Sequence, residues 1–169
     1  MSAAAPEFSR RVALARLGHD PFRQRITASP EECARLARRF GLVALDRLTA
    51  TVALSRRDGT AVLLEAAIEA DFVQECVVSL EPVRGSLKQP FALLYGPTAA
   101  ESEVALAGEG IDFEPLLGET IDIGEAVAQE LSLTLPEFPR DPQAAIETDA
   151  AASEGEKPFA ALARWKKAD

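Results

Sequence analysis

Histidine occurs once in this 169-residue chain, at His19, cysteine only at Cys33 and Cys76, and tryptophan, tyrosine and methionine once each. One imidazole and two thiols on separate predicted elements make neither a four-ligand zinc set nor a disulfide framework. Both cysteines are therefore expected to be reduced, with no metal or other cofactor. His19 lies in a Gly-His-Asp-Pro turn, where His19-Asp20 reads as loop chemistry and not as a dyad. No glycine loop cradles phosphate, because Gly108-Glu109-Gly110 has no strand before it and no helix start after it. Carboxylates abound, but no spacing sets a pair apart. Lacking a nucleophile with its base, a metal set or paired acids, the chain reads as a binding protein and not an enzyme, with no small-molecule substrate evident. No apolar run approaches the roughly 18 residues of a membrane span. The N-terminus has neither the basic start nor the cleavage site of a secretory signal, so a cytoplasmic protein away from membranes is expected.

What is present is charge, unevenly divided. The formal net charge is −9, yet residues 1–60 carry +5, residues 61–156 carry −17 and residues 157–169 carry +3. Such asymmetry points to a charged partner, although acidic surfaces are also simply solubilising.

The stretch Thr60 to Leu80 organises the chain. Val62, Leu64, Ala66, Ile68, Ala70, Phe72, Cys76, Val78 and Leu80 fall on alternate positions, and Glu65, Glu69, Asp71 and Glu75 on the opposite face. Strict alternation is the mark of a half-buried strand. Its Ala and Glu content and the fourfold spacing of Leu64, Ile68 and Phe72 also suit a helix, but the flanking turns favour the strand. Asp58-Gly59 suits a two-residue hairpin and Glu81-Pro82-Val83-Arg84-Gly85 closes the other end, so both neighbours are expected to be antiparallel strands.

Upstream, Phe8–Leu17 and Phe22–Ala28 read as strands, the second with Phe22, Gln24, Ile26 and Ala28 on one side and Arg23 and Arg25 on the other. Ser29-Pro30-Glu31-Glu32 starts a helix with a hydroxyl N-cap, proline at the first position and glutamate completing a capping box. Gly41 stops it. Cys33, Leu36, Ala37 and Phe40 form its apolar stripe, with Arg35, Arg38 and Arg39 off it. Leu48, Ala50, Val52 and Leu54 alternate in a strand leading to the hairpin. Ser86–Tyr95 is a third meander strand, with Leu87, Phe91, Leu93 and Tyr95 on one face and Pro90 marking an edge. Gly96–Glu119 reads as a long acidic mobile loop. Thr120 is expected to cap a second helix lined by Ile123, Val127 and Leu131 and ending before Pro136. The expected organisation is one α+β domain over residues 1–138, an antiparallel meander with added N-terminal strands packed by two helices. A flexible linker (139–156) and a short amphipathic basic tail (157–169) follow.

Four pieces in order resemble the YceD family, the large ribosomal RNA subunit accumulation proteins, its alpha-proteobacterial branch in particular. They are the capped helix Ser29–Gly41, the strand reaching Glu75-Cys76-Val77-Val78-Ser79-Leu80-Glu81-Pro82, the segment from Ile121 to Pro136, and the tail Lys157-Pro158-Phe159-Ala160-Ala161-Leu162. Many members carry Cys-x-x-Cys at the second piece, whereas Cys76 here is followed by Val77, Val78 and Ser79. A metal or redox role is therefore not expected, and Cys76 reads as a small buried hydrophobe. The resemblance implies a part in large-subunit ribosomal RNA accumulation through assembly of that subunit.

Two binding modes follow. A basic large-subunit ribosomal protein, free or in the precursor particle, would meet Glu65, Glu69, Asp71 and Glu75 on the central strand and Glu101, Glu103, Glu109, Asp112, Glu114 and Glu119 in the acidic loop. Ribosomal RNA would instead meet an arginine face of Arg23, Arg25, Arg35, Arg38 and Arg39, helped by Arg10, Arg11, Arg16, Lys166 and Lys167. The −17 segment and the scarcity of aromatic residues for base stacking favour the first. In the tail, Pro158, Phe159, Leu162 and Trp165 are apolar anchors that dock on the domain or on a partner.

Overall fold

The computed structural model describes residues 6–57, 61–97 and 111–144. The central strand, β4 (Val62–Glu75), buries Leu64, Ala66, Ile68, Ala70 and Phe72 and turns Glu65, Ala67, Glu69 and Asp71 outward. It pairs antiparallel with β3 (Ala44–Arg56) and with β5 (Pro82–Gly96). β4 is nevertheless shorter than the alternation predicts. Leu80 has φ 62°, its N–H donates to the Cys76 carbonyl, and the Cys76 N–H donates to the Glu81 carbonyl. The alternate apolar residues after Glu75 therefore lie in a reversing turn. The predicted Asp58-Gly59 hairpin lies outside the described residues.

β5 starts at Pro82, ahead of the predicted Ser86, because its register with β4 runs unbroken from Glu75↔Pro82 to Val62↔Tyr95. Gly85 stands opposite Phe72, whose ring fills the place of a side chain: a Cβ on Gly85 would lie 2.5 Å from Phe72 Cε2. On its other side β5 is paired only from Leu93 to Gly96 among the described residues, so Pro90 sits where a missing N–H costs no ladder bond.

β2 (Phe22–Thr27) adds antiparallel to β3, and β6 (Asp112–Pro115) adds parallel to β5, giving a five-stranded sheet ordered β2-β3-β4-β5-β6. β6 lies within the stretch that reads as a loop, because four residues are too few to show a period. The predicted first strand contracts to β1 (Arg11–Ala13), followed by a 3-10 turn at Leu14–Arg16. β1 joins not the main sheet but β7 (Thr120–Asp122), in a separate two-stranded sheet.

Helix α1 (Pro30–Phe40) has the predicted capping box, both bonds made, and ends in left-handed Gly41. Helix α2 (Ile123–Thr134) is capped by Asp122, not Thr120. The Asp122 carboxylate accepts from the Gly124 and Glu125 N–H groups, while Thr120 is held in β7. Cys33 and Leu36 of α1 and Ile123, Val127 and Leu131 of α2 share one core with Ile26, Leu48, Ala50, Ile68 and Leu93. Both helices thus cover the same sheet face, the α+β arrangement expected. Among the described residues the opposite face carries no helix.

Candidate functional site

The open sheet face holds the predicted strand acids, but cross-strand neighbours answer the central two. Lys88 is directly opposite Glu69, at 2.8 Å from its carboxylate, and Arg47 is opposite Asp71, with Nε at 2.8 Å. Arg47 also reaches Glu69 at 3.4 Å. Lys88 first, then Arg47, holds the Glu69 carboxyl below the usual range. Opposite charges facing each other across strands are the sheet's own side-chain pairs. Glu65 and Glu75 are exposed and make no ion pair among the described residues. A single strand's pattern could not reveal this neutralisation, because the bases come from β3 and β5.

The five predicted arginines do not form one face. Arg23 and Arg25 alternate with Ile26 on β2 and project from the open face, separated from the β4 acids by β3. With Pro90 and the small side chains of Thr51, Ala53, Ala67 and Ala92, Arg23 borders a shallow trough of about 660 Å³. Arg35, Arg38 and Arg39 ride on α1, across the sheet. Arg39 is committed to a two-point pair with Glu125 at 2.7 and 3.0 Å and to Glu7 at 3.0 Å, and these partners, Glu125 foremost, push its pKa upward. Arg35 donates to the Glu7 carbonyl. Arg10 is locked to Glu32, Arg11 lies 3.9 Å from Asp122, and Arg16 stacks over the Phe22 ring at 5.1 Å. The side chains of Arg23, Arg25 and Arg38 make no hydrogen bond or ion pair among the described residues.

A second acidic surface forms where β6 meets α2. Glu114 stands beside Tyr95 in the β5–β6 register, and Asp112 lies close enough to Glu130 of α2 to act on its ionisation. Partial burial, then Asp112, raises the Glu130 carboxyl; burial, then Glu114 and Asp122, pushes the Tyr95 hydroxyl up to about 12. Asp112, Glu114, Glu119 and Glu130 make no ion pair among the described residues. The sequence singles out Asp112, Glu114 and Glu119 as candidate acids but gives no signal for Glu130. Only packing brings it to β6. Glu101, Glu103 and Glu109 lie outside the described residues, as do the tail anchors Pro158, Phe159, Leu162 and Trp165.

Cys76 is fully buried, as its apolar character predicts, but in the turn after β4 and not on a strand face. Its Sγ accepts from the N–H groups of Asp141, Ser79 and Val78, each at 3.4 Å. Those bonds, Asp141's foremost, hold the thiol down to about 7. Ser79 occupies the place of the second cysteine of a Cys-x-x-Cys. No three His, Cys, Asp or Glu side chains converge as metal ligands among the described residues, and no described helix is long and apolar enough to cross a membrane.

Residues 64–165 match the model of a family described as the large ribosomal RNA subunit accumulation protein YceD. That span exceeds half the chain and contains three of the four resembling pieces; the capped helix α1 precedes it. No curated protein and no solved structure matches the chain.

Proposed function

This chain belongs to the YceD family, and from that premise we propose how it serves large-subunit ribosomal RNA accumulation, the role its family's description carries. It acts by binding and without catalysis, in the cytoplasm where subunits assemble. Its partner is a basic protein of the large subunit, free or in the precursor particle. The carrying observation is the acidic surface at β6 and α2, where Asp112 lies near Glu130 and Glu114 stands beside Tyr95, with no described ion pair to answer them. Glu101, Glu103 and Glu109, immediately upstream in sequence, extend the same charge. An acidic surface screens a basic protein from premature association, and oppositely charged faces meet quickly and let go as salt rises. The central strand acids contribute less, since Glu69 and Asp71 already hold Lys88 and Arg47.

Direct RNA contact has one observation in its favour. Arg23 and Arg25 stand together on the open sheet face. Two arginines on a trough that Glu65 also lines neutralise few phosphates, so any such contact is secondary and has a shallow salt dependence.

The test is a tagged pull-down from native cells with and without ribonuclease, reading proteins and RNA. A basic large-subunit protein that survives ribonuclease supports the acidic-surface reading. Recovery that requires intact precursor RNA moves the function to Arg23 and Arg25. Recovery of neither overturns both.

A further inference from the structure

Exposed large apolar side chains gather at one end of the sheet, where β4 gives way to its turn. Leu80 and Val77 belong to that turn, at 67% and 49% exposure. Val43 is tied there by its N–H bond to the Val73 carbonyl. Phe138, 70% exposed, adjoins Pro139, whose carbonyl accepts from the Val77 N–H. Leu133, 79% exposed near the end of α2, borders with Phe40, Leu135 and Pro136 a groove of about 580 Å³. The groove is fixed to β4 by the bond from the Gln74 side chain to the Pro136 carbonyl at 2.9 Å. Apolar surface gathered in this way marks a binding place and not scattered exposure.

The chain itself leaves the described structure at this end. Asp141 is bonded to Cys76 Sγ, and the described residues stop at Ala144. Residues 145–156 then span at most ~40 Å when fully extended, ample to return to a groove a few residues from the exit. Beyond them come Phe159, Leu162 and Trp165, three residues apart, the pattern of one helical face. They sit among Lys157, Arg164, Lys166 and Lys167, while Glu137 lines the groove and Glu75 and Glu81 are exposed at the same end. Arg39 also lines the groove but is already held by Glu125 and Glu7, so tail and groove are both apolar in the middle, and the charge left to meet the basic tail is that of Glu137, Glu75 and Glu81. The family match extends to residue 165 and so takes in all three anchors.

We propose that residues 157–169 dock on their own domain, with Phe159, Leu162 and Trp165 seated in the groove beside Leu133. A short tether holds such a segment at millimolar effective concentration, so modest affinity suffices.

Trp165 is the only tryptophan in the chain, so its fluorescence reports the tail alone. In the full chain its emission is expected to be blue-shifted and its quenching by acrylamide several-fold weaker than in a peptide of residues 157–169. Leu133→Asp, and separately Phe138→Ser, should restore peptide-like quenching while circular dichroism stays unchanged, since both positions face solvent. Peptide-like quenching in the unaltered chain would overturn the proposal and leave the patch to another protein. Protection that vanishes on dilution would overturn it in favour of a second copy. Protection indifferent to both substitutions would overturn the choice of groove.

Discussion

Arg10 grips Glu32 at two points, Nη1 to Oε1 at 2.8 Å and Nη2 to Oε2 at 2.9 Å, and so ties the segment before β1 to the first turn of α1. The same glutamate accepts the Ser29 N–H as half of the capping box. One side chain therefore closes a local motif and a tertiary contact.

Arg10 first, then the Ser29 bond, holds the Glu32 carboxyl down to about 2 from an ordinary 4.5. A carboxylate depressed in the folded state stabilises it above the ordinary value, and that contribution is lost as pH falls through the window from about 4.5 to about 2. Glu32→Gln should cost about 2 kcal/mol at neutral pH. It should also flatten the acid limb of stability against pH, both read by urea denaturation. An unchanged acid limb would remove Glu32 from the explanation.

Ser29→Ala removes the other half of the box, the hydroxyl that accepts from the Glu32 N–H. The expected cost is about 1 kcal/mol, again by denaturant titration. A loss much smaller than this would mean that the Arg10 pair alone keeps the helix start in place.

Gly124 opens α2 against the N-terminal segment so closely that a Cβ there would lie 2.9 Å from Arg10 N and nearer still to the Phe8 carbonyl oxygen. Both obstacles are backbone, so no side chain can swing aside. Gly124→Ala should destabilise by about 1–3 kcal/mol, although alanine is the better helix former. A neutral or stabilising outcome in thermal melts would mean that this junction gives way.

The two thiols should differ in chemistry. Burial pushes the Cys33 thiol up, whereas three N–H bonds hold Cys76 down to about 7. Both thiols are buried, Cys76 at 0% and Cys33 at 5% exposure, so the difference is read in the pH dependence of folding and not in labelling of the native chain. Folded stability should rise with pH through the range above about 7, because the folded thiol ionises before the unfolded one. Stability that stays flat between about pH 7 and about pH 9 would contradict the hydrogen-bonded turn.

For binding, the two acidic surfaces separate by substitution. Asp112→Asn with Glu114→Gln should weaken capture of a basic large-subunit protein several-fold and lessen its salt dependence. Glu69→Gln with Asp71→Asn should matter less, because those carboxylates already hold Lys88 and Arg47. The reverse order of effects would return the site to the β4 face.

Local order was written in the sequence. The capped start of α1, the left-handed stop at Gly41, the alternation of β4 from Leu64 to Phe72 and the antiparallel meander around it all rest on neighbours a few residues apart, where chain chemistry acts directly. The family's resembling pieces were legible for the same reason. What only the tertiary structure decided were matters of distant partners. β1 pairs with β7 across more than a hundred residues, Asp122 and not Thr120 caps α2 because pairing with β1 keeps the chain extended as far as Asp122, and β6 is a strand only because β5 offers an edge. The same physics redrew the surfaces. Alternation said which side of β4 each glutamate faces, but only the register could place Lys88 against Glu69 and Arg47 against Asp71. Only helix packing could split the arginines between two sides of the sheet and bring Glu130 to β6, because a charge's meaning depends on the charges that folding sets beside it.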